Sequence, residues 1–150
     1  MPKVSIIITT HNRPGILPRA IESARAAGRD VEIVVVDDAS CDETATICES
    51  EPGIKYVRID RNQGVAGARN VGLVASSGEY LSFLDDDDLR LPGSIDQQVR
   101  LLDQSPEAAL LYAQAIPEDP DGTQRQPYPD KCPQGDILWE LLIRNFLPCG

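Results

Sequence analysis

Apolar and polar positions along the chain fall into blocks with two different periods. Val4-Ser5-Ile6-Ile7-Ile8-Thr9 is nearly continuously apolar and β-branched. That pattern predicts a strand covered on both faces, as in a parallel sheet. Pro18 to Ala27 predicts a helix closed by Gly28. Val31 to Val36 is a second buried strand and ends in Asp37-Asp38. Asp42 suits the N-cap of a helix running through Glu49, which Pro52-Gly53 breaks. Ile54 to Ile59 follows as a third strand. The loop Asp60-Arg61-Asn62-Gln63-Gly64 then leads into a helix from Val65 to Ala75. Gly67 and Gly72 lie inside that helix, where glycine costs about 1 kcal/mol relative to alanine. A strand or a ligand is therefore expected to approach it closely. Tyr80 to Leu84 is a fourth strand, running directly into Asp85-Asp86-Asp87-Asp88. Pro92 opens a helix to Leu102, and Ala108 to Ala115 is a fifth strand candidate. Pro117, Pro120, Pro127, Pro129 and Pro133 mark an irregular loop, and Asp136 to Phe146 predicts a final amphipathic helix.

The order of elements, βαβαβαβαβ, implies an α/β fold with a mostly parallel sheet and helices on both faces. In such sheets ligands bind beyond the carboxyl ends of the strands, near the point where strand order reverses. The polar residues follow that rule. Thr9, Thr10, His11 and Asn12 come after the first strand, and Asp37, Asp38 and Ser40 after the second. Asp60 and Asn62 come after the third, and Asp85 to Asp88 after the fourth. All of these clusters fall on one edge of the sheet.

Composition narrows the class. The chain has 150 residues, 41% hydrophobic, with 14 Lys+Arg against 24 Asp+Glu and a net charge of −10. That is enough chain for one core burying about two-thirds of the unfolded surface. The acidic balance, with lysine at positions 3, 55 and 131 alone, argues against a nucleic-acid partner. The first apolar run is too short for a secretion signal, and no stretch approaches the roughly 20 apolar residues of a membrane span. A cytoplasmic location is the default expectation. Cys41, Cys48, Cys132 and Cys149 form no C-x-x-C pair, and the single histidine, His11, is far from them in sequence. Free thiols are expected rather than a zinc site, with Cys48 on a buried helix face.

Four adjacent aspartates repel one another unless they are solvated or neutralised. A hard divalent cation, Mg²⁺ or Mn²⁺, is a natural partner for such oxygens, commonly held by one or two carboxylates plus substrate phosphates. A diphosphate ligand follows. A carboxylate at Asp37 or Asp38 suits hydrogen bonds from a base or a ribose. The plainer reading is a solvated turn, with Asp88 capping the next helix and Asp37-Asp38 a loop and cap cluster. Arg69 fits a phosphate or a nearby aspartate equally well.

The ordered segments Val4–Arg13, Val35–Thr44, Arg61–Gly72, Gly78–Tyr80 and Phe83–Leu89 through Pro92 resemble those of a family 2 glycosyltransferase with the GT-A fold. The resemblance covers roughly residues 3 to 115. It implies that Thr9 and His11 line the nucleotide base pocket. One or both of Asp37 and Asp38 would bind base or ribose, and Arg69 would contact the nucleotide. Asp85 and Asp87 would form the metal-binding D-x-D pair, with Asp86 near the ribose or sugar. The implied donor is a nucleotide-diphosphate sugar, often UDP-linked, transferred with inversion to a hydroxyl of a carbohydrate or lipid-linked acceptor. The cofactor would be Mn²⁺ or Mg²⁺. Residues 1–115 would be the donor-binding core and 116–150 the start of an acceptor-side region, in polysaccharide biosynthesis at or near the inner face of the membrane. The chain ends at Leu147-Pro148-Cys149-Gly150. Members of the family usually continue well past that point, and the later part supplies the general base. A truncated chain is therefore expected, with the catalytic base beyond Gly150 and unassigned.

Rival readings fit less well. A phosphoacceptor receiver domain needs an acidic pair after strand one, where Thr9-Thr10-His11-Asn12 stands, and a lysine after strand five. A nucleotidyltransferase needs a Gly-rich basic loop after strand one, and a dinucleotide module needs G-x-G-x-x-G there. The remaining alternative is a truncated or degenerate GT-A domain that binds nucleotide-sugar without catalysis.

Overall fold

The structure, a computed structural model, describes residues 1–119 and 121–148. It divides into a unit of residues Met1–Ser105 and a second unit beginning at Pro106. The first unit contains β1 (Val4–Thr10), α1 (Leu17–Ala27), β2 (Val31–Asp37), α2 (Thr44–Ser50), β3 (Ile54–Arg58), α3 (Gly64–Ala75), β4 (Tyr80–Asp85) and α4 (Ser94–Asp103). The second contains α5 (Leu138–Ile143).

The four strands form one parallel sheet in the order β3-β2-β1-β4. Val4 of β1 stands opposite Val31 on one side and Tyr80 on the other, and Ile33 stands opposite Ile54. The central position of β1 explains why all seven of its residues are buried. Successive side chains on a strand point to opposite faces, and the core divides accordingly. Ile6, Ile8, Ile33 and Val35 pack with α1, Cys48 of α2 and Ile95 of α4 on one face. Ile7, Val34 and Val36 pack with Ala68 of α3 on the other. On α1 the buried residues Leu17, Ala20, Ile21, Ala24 and Ala27 follow the three-and-four spacing of one helical stripe. Burial of Cys48, reinforced by the nearby Asp37 charge, pushes its thiol up to about 12.

The close approach expected at α3 is made by a strand. A Cβ on Gly72 would lie 2.3 Å from Cγ2 of Ile7, so glycine lets α3 sit directly on β1. At Gly67 the neighbour is instead the side chain of Gln63, at the entry to the same helix.

Some sequence expectations need correction. Residues 108–115 form no strand. Only Ala115 takes part in an isolated antiparallel bridge, to Tyr128. The segment lacks valine, isoleucine and threonine, and alanine is a poor strand former. The final helix is confined to Leu138–Ile143, and its Leu138, Trp139, Leu142 and Ile143 are exposed. Within the second unit the Tyr112 and Phe146 rings pack at 5.6 Å. Asp42, expected as the N-cap, stands one residue before the observed cap, Glu43, and accepts from the amide of Thr44 at 2.9 Å. Asp88 caps no helix. Its amide closes a turn onto the Asp85 carbonyl, and Gly93 stands at the start of α4. Cys41, Cys48 and Cys132 are free thiols. Cys149 and Gly150 lie outside the described residues, as does Pro120 of the proline-rich loop.

Candidate functional site

The sheet order reverses beside β1, because β2 and β3 extend to one side of it and β4 lies on the other. The carboxyl ends of β1 and β4 therefore frame the switch point at which α/β sheets bind ligands. A cleft of about 350 Å³ opens there. The end of β1 contributes Thr9, Thr10, His11 and Arg13 to its lining, and the loop after β2 contributes Asp38. Val65 and Ala68 of α3 supply an apolar wall, and Asp85, Asp86 and Asp87 complete it.

Each of those three aspartates has a different partner set. Asp86 is buried and accepts from the Thr10 hydroxyl at 2.7 Å and from Arg13 Nη1 at 2.9 Å. Asp87 is exposed and shares the same Arg13 Nη1, also at 2.9 Å. Asp85 accepts from Arg69 Nη2 at 2.6 Å, and that guanidinium lies 5.2 Å from the Phe83 ring centre. Two arginines thus offset three adjacent negative charges. The Asp86 and Asp87 carboxylates raise the pKa of Arg13, so it stays a cation at any working pH. Burial and the charges of Asp87 and Asp85 push the Asp88 carboxyl upward, against the weaker opposing pull of Arg90.

The adjacent acids Asp37 and Asp38 do separate jobs. Asp37 is fully buried, accepting from the Ser40 amide and the Tyr56 hydroxyl at 2.8 Å each. Burial, with the bond to Asp37, raises the Tyr56 hydroxyl pKa, so the phenol remains a donor. Asp38 accepts from the amides of Gln63 at 2.7 Å and Gly64 at 2.8 Å. Its carboxylate holds two N–H groups at the start of α3, a favourable place for a negative charge. The loops after β1 and β2 are also tied together. The Asn12 amide donates to Ser40 Oγ, and the Cys41 amide donates to Asn12 Oδ1, each at 2.9 Å. Asn12 and Ala39, at the two turns, both adopt positive φ, 55° and 61°.

Of the residues singled out from sequence, Thr9, His11, Asp38, Asp85, Asp86 and Asp87 therefore line one cleft. Asp37 is buried and does not line it, and Arg69 reaches it only through its bond to Asp85. Sequence reasoning missed Thr10 as a partner of Asp86, and missed Arg13. The available signal was position alone: Arg13 follows the polar end of a strand that pairs with the strand leading into the aspartates.

Among the described residues no three His, Cys, Asp or Glu side chains gather in a way that could hold a metal ion. The donor set does fit an ion of the Mg²⁺ type that takes one or two carboxylates and completes its shell with substrate phosphate and water. Asp87 is the accessible carboxylate, and Asp85 lies on the same cleft wall.

Fold and cleft together define a parallel α/β domain with an acidic ligand site at its switch point. Residues 5–148 match the family model described as Glycosyl transferase family 2, and the chain belongs to that family. It is 37% identical over 106 residues to the succinoglycan biosynthesis protein ExoO of Rhizobium meliloti, an alignment covering 69% of this chain and 30% of that protein. It is 41% identical over 101 residues to the GalNAc(5)-diNAcBac-PP-undecaprenol beta-1,3-glucosyltransferase of Campylobacter jejuni, covering 63% of this chain and 33% of that one. Among solved structures, TarS 1-349 of S. aureus in complex with UDP superimposes with a TM-score of 0.61 at 29% identity, over 68% of this chain and 32% of that chain. The chain thus spans about a third of the length of these relatives. These relatives are named as a biosynthetic protein and a glycosyltransferase. Among the described residues no helix is long and apolar enough to cross a membrane.

Proposed function

We propose that this chain carries the donor site of a glycosyltransferase that moves a sugar from a UDP-linked donor to an acceptor hydroxyl with inversion. The observation that supports it most is the cleft itself. It joins an apolar wall, a strand-end threonine and histidine, and three aspartates held in place by hydrogen bonds and guanidinium groups. In this reading Thr9 and His11 line the base pocket. Asp38 accepts from base or ribose while it anchors α3, and Asp37 sets the loop from below. Asp86 lies near the ribose or sugar, and Arg69 borders the nucleotide through Asp85.

Asp87, with Asp85, would hold Mn²⁺ or Mg²⁺ together with the diphosphate. Such an ion supplies charge stabilisation for the leaving diphosphate. The acceptor hydroxyl attacks the anomeric carbon from the face opposite the diphosphate and gives its proton to a general base. No residue up to Gly150 is assigned that role. The UDP complex of TarS favours uridine as the nucleotide. The Campylobacter relative's name specifies an undecaprenyl-diphosphate glycan, which favours a lipid-linked or carbohydrate acceptor. We assign residues 1–115 to donor binding and 116–150 to the beginning of the acceptor side.

Calorimetry with UDP and Mn²⁺ tests the reading. Binding by the wild-type chain and a loss of at least about tenfold in Asp87→Ala are expected, the scale of one strong charged contact. Equal affinity in the two proteins, or no binding to either, refutes it.

A further inference from the structure

Arg13 occupies a position that the donor reading leaves unexplained. One nitrogen, Nη1, stands 2.9 Å from Asp86 Oδ1 and 2.9 Å from Asp87 Oδ2. The two carboxylates differ in how firmly they are committed. Asp86 is almost wholly buried, and its other oxygen already accepts from Thr10, so its bond to Arg13 satisfies a group that water cannot reach. The Asp87 side chain is 57% exposed, and the Arg13 side chain is 51% exposed, so their contact exchanges readily with solvent and ions. A permanent cation therefore sits against the carboxylate that faces solvent in the cleft.

We infer that Arg13 is a positioning residue that stands in for the divalent cation at Asp87 and makes cation binding depend on the nucleotide. This rests on the donor reading above. A free divalent ion meets a cleft whose three aspartates already hold two guanidinium cations, Arg13 at Asp86 and Asp87 and Arg69 at Asp85. Like charges at this range oppose one another, so the free ion binds weakly. A nucleotide diphosphate brings added negative charge, which offsets the repulsion and gives Arg13 an alternative partner while Asp86 retains it. The order of binding that results is nucleotide first or nucleotide and metal together, never metal first. It also keeps the aspartate segment arranged between turnovers, because Arg13 bridges the end of β1 to the residues that follow β4.

The test is Mn²⁺ binding in the absence of nucleotide, followed by the paramagnetic relaxation of water protons, in wild type, Arg13→Gln and Arg13→Lys. Glutamine removes the charge yet keeps a donor for buried Asp86, and lysine keeps the charge. Arg13→Gln is expected to bind Mn²⁺ about tenfold more tightly than wild type, a coupling in the usual range between linked sites, and Arg13→Lys to bind as weakly as wild type. A merely structural role predicts weaker binding in both variants. The inference is overturned if Arg13→Gln binds Mn²⁺ no more tightly than wild type, or if Arg13→Lys gains as much as Arg13→Gln. Should Arg13→Gln fail to fold, a wild type that binds free Mn²⁺ as tightly as it does with UDP present overturns it equally. UDP·Mn²⁺ binding by wild type, measured alongside, shows whether the donor reading survives either result.

Discussion

Replacing Gly72 by alanine sets two opposing effects against each other. In a helix interior alanine is favoured over glycine by about 1 kcal/mol. On propensity alone Gly72→Ala should stabilise α3. The new methyl, however, would lie 2.3 Å from Cγ2 of Ile7 and 3.3 Å from Cγ2 of Val36. Both neighbours are fully buried β-branched residues of the sheet, Ile7 in its central strand, and neither has a flexible end to yield. Inserting a methylene-sized group into such a core costs about 1–3 kcal/mol. The clash should win, leaving a net destabilisation of about 1 kcal/mol and a melting temperature lower by about 2–4 °C. Gly15→Ala, where a Cβ meets nothing within 4 Å, serves as the control and should melt close to wild type. The displacement also has a functional signature. α3 carries Arg69, and its first amides are those held by Asp38, so UDP affinity should fall with stability. Differential scanning calorimetry and UDP titration of the two variants check this. A Gly72→Ala protein that melts at or above wild type would show that α3 is not seated on β1 as described.

Two other substitutions read the acidic residues directly. Asp38→Asn keeps the shape but cannot accept from both the Gln63 and Gly64 amides as a charge. Urea unfolding should show a loss of about 1.5–3 kcal/mol, the range for hydrogen bonds to a charged group, and an unchanged midpoint would refute the anchoring role. For Asp88 the sign runs the other way. Its folded pKa is raised by burial and by Asp87 and Asp85, so the ionised group lowers stability above that pKa, and the effect vanishes below the unfolded carboxylate range. Asp88→Asn should therefore raise the melting temperature at neutral pH, with the gain disappearing in acid. A gain that is independent of pH would refute the electrostatic cause.

How far the fold could be read from sequence depended on what each element packs against. β1 and β2 are central strands, and their unbroken β-branched runs announce burial on both faces without ambiguity. The two-sided sheet was legible for that reason. The segment Ala108–Ala115 is just as apolar, but its residues are alanine, leucine, tyrosine and glutamine, which suit several environments, and it does not join the sheet. The exposed apolar residues of α5 show the same limit, because an amphipathic pattern says which face is apolar and not whether anything covers it. At the site, the strand-end rule brought Thr9, His11, Asp38 and Asp85 to Asp87 together correctly. It could not reveal Arg13, whose partners lie more than seventy residues away and become neighbours only because β1 pairs with β4. Nor could it separate Asp37 from Asp38, which look equivalent in a linear string.

That last pair has a consequence for how the domain tolerates length changes. Asp37 ends β2 facing the layer that holds Tyr56 and Cys48, and Asp38, one residue later, faces α3. One carboxylate thus fastens each side of the sheet at the same end. Inserting or deleting a single residue in β2 would exchange the two faces, turning the loop-holding acid toward α3 and the helix-holding acid into the opposite layer. Both anchors would be lost in one event, along with the alternation of Val34, Val35 and Val36. The length of β2 should therefore be far less free to vary than the length of the loops on either side of it.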